Sequence, residues 1–105
     1  MIIVTTESVL NRDISETIGL VKGSTIRSKN FGKDILSGFK SMVGGELVEY
    51  NQMLEEARKI AISRMVEEAE SKGADAIVGF RLMSSAVMQV AAEMVAYGTA
   101  VKLHS

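Results

Sequence analysis

The chain has 105 residues, 47% of them hydrophobic and 24% charged, with a net charge of −1 and neither cysteine nor proline. That length suits a single domain over residues 1–105 with a modest core, and the near-neutral charge gives no basis for nucleic-acid or membrane partners. Absent thiols exclude disulfides, cysteine nucleophiles, zinc ribbons and iron–sulfur clusters, while the lack of a basic leader or of about 18 consecutive apolar residues makes a cytoplasmic location the expectation.

Ile2, Ile3 and Val4 give a short β-prone start, ended by the more polar stretch Glu7 to Asp13. From Ile14 the pattern alternates. Ile14, Ile18, Leu20 and Ile26 share one parity, and Ser15, Thr17, Gly19, Val21, Gly23 and Thr25 hold the other. Period two with one apolar side predicts a half-buried strand, bulged or bent near Gly19 or Gly23. Phe31, Ile35, Leu36, Phe39, Met42 and Val43 then recur at helical spacing and predict a short helix, broken by Gly44-Gly45.

A long helix is predicted from Glu46, with Glu46 and Glu49 at the positive end of its dipole. Its buried stripe is Tyr50, Leu54, Ala57, Ala61, Met65 and Ala69, widened by Leu47, Met53, Ile60, Ile62 and Val66. Glu55 and Lys59 stand in the favoured i,i+4 order, and Gly73 suits a left-handed C-terminal cap. Strands follow over Ala76 to Met83 and Ala92 to Leu103, with the turn within Ser84 to Ala91. The predicted order is β-β-α-α-β-β, an α+β fold with an antiparallel sheet packed on one long helix plus a short one.

Both faces of the C-terminal hairpin are apolar or small: Met94, Ala96, Gly98 and Ala100 oppose Val95, Tyr97, Thr99, Val101 and Leu103. A sheet with one watered face alternates apolar with charged residues, and this one hardly does. One helix covers one face. Other subunits are the economical cover for the second.

Thr5-Thr6, Gly19-Leu20-Val21-Lys22-Gly23, Gly44-Gly45, the run Tyr50, Leu54, Ala57-Arg58 and Ala61, Gly73-Ala74-Asp75-Ala76-Ile77-Val78-Gly79 and Gly98-Thr99-Ala100-Val101 are collinear over nearly the whole chain. Together they resemble the YbjQ family, which carries a heavy-metal-binding label. The resemblance implies a dodecin-like α+β fold and a homopentameric ring whose strands build a central β-barrel. Many relatives have Gly-Gly-Arg and Tyr-Glu where this chain has Gly44-Gly45-Glu46 and Tyr50-Asn51.

The residues argue against most chemistry. Soft metals want thiolates and imidazoles, and the chain offers only His104, in a tail expected to fray. Its seven methionines follow the helix and strand faces as core filler. No metal site and no cofactor is therefore expected. Nor is there a nucleophile beside a base, so no catalytic residue is assigned and the chain is read as non-enzymatic. Glu55-Glu56 and Glu67-Glu68 point apart as solvated surface. Lys22, Arg27, Lys29, Lys33 and Lys40 form a locally basic surface without the aromatic platforms of a nucleic-acid site. Asp75, at the helix-to-strand handover, reads as an acceptor of backbone N–H groups, with an ion pair to Arg58 or a pocket role as the alternatives.

A ligand-binding candidate remains at Gly44, Gly45, Tyr50 and Arg58: free N–H groups at a helix start, two glycines permitting close approach, a tyrosine wall and a charge. The favoured function is a ring-forming protein that binds or stores a small ligand between subunits. A heavy-metal-binding protein is the alternative, and an enzyme comes third.

Overall fold

A computed structural model describes residues 1–28, 42–43, 46–88 and 91–105. The elements are β1 (Ile2–Ile3), β2 (Ile14–Ser28), β3 (Met42–Val43), β4 (Glu46–Leu47), α1 (Val48–Ser71), β5 (Ala76–Met88) and β6 (Ala91–Leu103). Four strands form one sheet in the order β1-β5-β6-β2, antiparallel except for β1 alongside β5, and β3 pairs with β4 separately. The fold is α+β with one long helix on a mixed sheet.

The expected central β-barrel is not formed: the sheet is open, not closed into a barrel. Closure needs the two outer strands to meet. On one side β1 is only two residues long. On the other, part of the outer edge of β2 is already occupied by the chain's own helix, because the Lys22 amide donates to Glu68 Oε1 at 3.3 Å and the Ser24 carbonyl accepts from Arg64 Nη1 at 2.7 Å. Such side-chain blocking is a common way to protect a strand edge. The predicted short helix falls mostly on residues outside the described ones, but its last two residues, Met42 and Val43, lie in strand β3.

Helix α1 is the long helix predicted from the sequence, starting at Val48 instead of Glu46. Ala57, Ala61, Met65 and Ala69 are fully buried, and Met53 nearly so. Small residues on this stripe let the helix lie directly on β2. At Gly23 a Cβ would overlap the Ala61 carbonyl oxygen and the Met65 amide nitrogen, so the strand needs glycine there for close approach, not for a bulge. The helix ends in a Schellman cap. Ala74 donates to the Ala69 carbonyl at 3.1 Å and Gly73 to Glu70 at 3.0 Å, with Gly73 at a φ of 76°.

Two cores result, one on each face of the sheet. Under the helix lie Val21, Ala57, Ala61, Met65, Ala69, Ile77, Met94, Ala96 and Ala100. On the opposite face, Ala76, Val78, Val101 and Leu103 are buried against Val4, Val9 and Ile14. The chain thus covers part of the second face with its own N-terminal segment, held by Val4 N–H to Ile77, Gly79 N–H to Thr6 and Phe80 N–H to Val4.

Only part of the predicted apolar side of β2 faces the helix: Ile18 packs against the core beneath it, Ile14 joins the second core, and Leu20 and Ile26 join neither. Register shifts between Ile14 and Glu16 and between Thr17 and Gly19 re-aim the strand. Val21, Gly23 and Thr25 then point to α1, while Leu20 and Ile26 are 62% and 63% exposed. The molecule is elongated as well. Its long dimension is 54 Å, with a radius of gyration of 17.3 Å, against about 13 Å for a compact domain of this length.

Candidate functional site

The predicted ligand candidate is only partly placed. Gly44 and Gly45 lie outside the described residues, as does the Tyr50 side chain. The diglycine is flanked by β3 and β4, whose pairing is Met42 with Leu47 and Val43 with Glu46, not by two helices. The helix itself starts at Val48, after β4, and not at the diglycine. Tyr50 sits in that first turn, and Arg58 is half-buried two turns further on, about 12 Å along the axis.

Asp75 takes the role of backbone acceptor. Its Oδ2 receives the Leu103 amide at 2.9 Å, while its own N–H donates to Val101 at 2.9 Å. It pins the helix exit to β6 and forms no ion pair with Arg58. The ion pairs among the described residues are Arg27–Glu56 at 2.7 Å and Glu68–Lys72 at 3.8 Å, not the expected Glu55–Lys59. His104 is not a frayed end: its N–H donates to Asp13 at 2.9 Å, and its carbonyl accepts from Arg12 Nη2 at 3.3 Å.

Two surface features stand out, one unread in the sequence and one read there only as an uncovered second face of the C-terminal hairpin. An open groove of about 300 Å³ runs along the outward side of α1, lined by Glu56, Lys59, Ile60, Ser63, Arg64 and Glu67. Ile60, predicted to widen the buried stripe, is instead half-buried in the wall of this groove. Two of its polar walls are committed elsewhere, Glu56 to Arg27 and Arg64 to Ser24.

The second feature is the uncovered part of the sheet, beyond the N-terminal segment. Cross-strand register places three rows there: Lys22, Tyr97 and Arg81; Ser24, Val95 and Met83; Ile26, Glu93 and Ser85. Leu20 stands beside them opposite Thr99. Met83 is 58% exposed. A hollow of about 50 Å³ opens at Met83, Ser84, Ser85, Glu93 and Val95. The sequence marks this face on β6 alone; its rows are assembled from three strands whose registers depend on bulges.

The chain belongs to the YbjQ family: residues 1–104 match the family described as "Putative heavy-metal-binding". Relatives carry the name UPF0145 protein. One from Clostridioides difficile is 65% identical over 98% of this chain and 92% of its own length. One from Methanosarcina acetivorans is 59% identical over 98% and 97%, and one from Photobacterium profundum 52% identical over 98% and 100%. Among solved structures, a protein of unknown function from the DUF74 family of Pediococcus pentosaceus superposes with a TM-score of 0.64. It covers 99% of this chain and 98% of its own, at 17% identity, which speaks for the fold alone.

The donors at hand do not fit the heavy-metal description. There is no cysteine and one histidine. Among the described residues no three His, Asp or Glu side chains come together as a metal cage. No helix among them is long and apolar enough to cross a membrane.

Proposed function

We propose that this protein is a non-enzymatic homo-oligomer, a pentameric ring, that binds or stores a small ligand at surfaces between its subunits. One observation carries the reading. The uncovered sheet face exposes Leu20, Ile26 and Met83 around the half-buried Val95 and Tyr97, and large apolar side chains gathered on one open face support an interaction surface. A strand spends its apolar side on a core or on a partner, and here the chain's own helix takes the other side.

Native mass spectrometry of the protein purified from its host reports assembly and co-purifying ligand together. A multiple of the 11.3 kDa chain with a bound small molecule is expected. A monomer at micromolar concentration would overturn the assembly. The ligand site is placed at Gly44, Gly45, Tyr50 and Arg58. Gly45→Val and Tyr50→Phe should each lose the ligand while leaving the oligomer intact; retention of ligand in both moves the site elsewhere, the helix groove first.

The family's description favours metal as a second reading. With His104 as its sole imidazole, the chain should hold zinc, copper or cadmium no tighter than about micromolar. Elemental analysis finding one firmly held metal per subunit or per assembly would promote it.

A further inference from the structure

We propose that Lys22, Tyr97 and Arg81, which form one row on the uncovered sheet face, bind a small anionic ring compound: a flat ring that carries a carboxylate or a phosphate. This assignment rests on the small-ligand reading, to which it adds a ligand class and a place apart from the diglycine.

The row is built by the fold. Between β5 and β6, Val78 pairs with Thr99 and Arg81 with Tyr97, so Gly79 and Phe80 together stand opposite Gly98. Gly79 takes a φ of 62°, which favours glycine. A Cβ on Gly98 would press on the Ile77 side chain and the Val78 carbonyl oxygen. Regular pairing would set Phe80 beside Tyr97 and turn Arg81 toward the helix, because successive side chains alternate sides. The extra residue reverses this. Phe80 packs on the core under α1, and Arg81 joins Tyr97 on the uncovered face. Bulges re-aim side chains in this way beside functional sites. Strand β2 brings Lys22 to the other side of Tyr97.

The charges are set for an anion. Arg81 donates from Nη1 to the carbonyls of Thr5 at 3.1 Å and Phe80 at 2.7 Å. Both hydrogens of that nitrogen are thereby used and the guanidinium is held in place. Nε and Nη2 keep the side-on pair of donors that suits a carboxylate or phosphate. Neither Lys22 nor Arg81 makes an ion pair among the described residues. In the paired rows of this face the acid is Glu93, two rows and about 13 Å along β6 from Tyr97. A chain of net charge −1 thus gathers two unneutralised cations around one half-buried ring. Lys22 and Arg81 lie two strands apart, about 10 Å between backbones, a span that one ring with its acidic group fills. Tyr97 supplies the stacking face. A single platform holds one ring and not a strand of nucleic acid.

Isothermal titration calorimetry on the full chain tests this, with adenosine monophosphate and benzoate as the phosphate and carboxylate probes and adenosine as the uncharged control. At least one of the two anions should bind, and more tightly than adenosine; which one binds identifies the acidic group. Its affinity should fall about tenfold or more in Lys22→Gln and in Arg81→Lys, which keeps the charge but loses the fork. Lys72→Gln, with the same loss of charge elsewhere, should bind as wild type does. In the wild type the bound anion should also slow acetylation of Lys22 relative to Lys72, a readout that needs no substitution. No binding of either anion, or binding that ignores both substitutions and leaves acetylation of Lys22 unchanged, overturns this site. The small-ligand reading is judged separately. A co-purifying molecule of another class keeps it standing after that result, whereas a chain that neither co-purifies with nor binds any small molecule overturns both.

Discussion

The two faces of one sheet divide the molecule into a part that is finished and a part that is not. Under α1, Gly23, Ala57, Ala61 and Met65 bring helix and strand backbones into contact, and polar side chains from the helix reach β2 at Lys22, Ser24 and Arg27. Across the sheet, Val101 and Leu103 are covered by Val4, Val9 and Ile14, but a few residues along the same strand Val95 and Tyr97 face outward, beside the exposed Leu20, Ile26 and Met83. The same strand side thus serves a core at one end and is available to a partner at the other. Apolar alternation shows that a side will be buried; it does not show by what.

Glutamate scanning along β6 breaks this comparison most sharply. Val101→Glu buries an unpaired charge in the second core and should cost about 4 kcal/mol or more, seen as loss of folded protein in far-ultraviolet circular dichroism. Val95→Glu, on the open end of the same side, should keep the helical signal and change only the mass in solution. If both unfold the chain, the two ends are not distinct.

On the helix face, Gly23→Val pushes a side chain into the Ala61–Met65 backbone and should cost about 3 kcal/mol, measured by urea unfolding. A smaller effect is expected at the helix exit. Asp75→Ala leaves the Leu103 amide without its acceptor and should cost about 1–2 kcal/mol. The smallest belongs to the tail. Removing His104 and Ser105 deletes two exposed hydrogen bonds and should lower stability by less than about 1 kcal/mol, with assembly unchanged.

Several features were legible in the residues. The 3.6-residue recurrence from Leu54 to Ala69 specified the helix and its buried stripe, and Gly73 its cap. Asp75 was recognisable as a backbone acceptor because a carboxylate where a helix meets a strand finds N–H groups close by. The last two strands emerged within a residue or two of their observed starts. Less was legible of the ligand candidate, since Tyr50 and Arg58 are a dozen ångströms apart along the axis and the diglycine precedes a strand, not the helix itself.

By itself the sequence determined what depends on neighbours along the chain: helix periodicity, capping, alternation, and a donor inventory without thiols. Only the tertiary structure decided which side of β2 meets the helix, because two register shifts before Leu20 set that orientation and no local pattern encodes them. It also decided that Glu68 and Arg64 would occupy the β2 edge, leaving an open sheet in place of a barrel. Lys22, Tyr97 and Arg81 stand in one row although up to 75 residues separate them. That proximity comes from strand pairing, and pairing is a property of the folded chain as a whole.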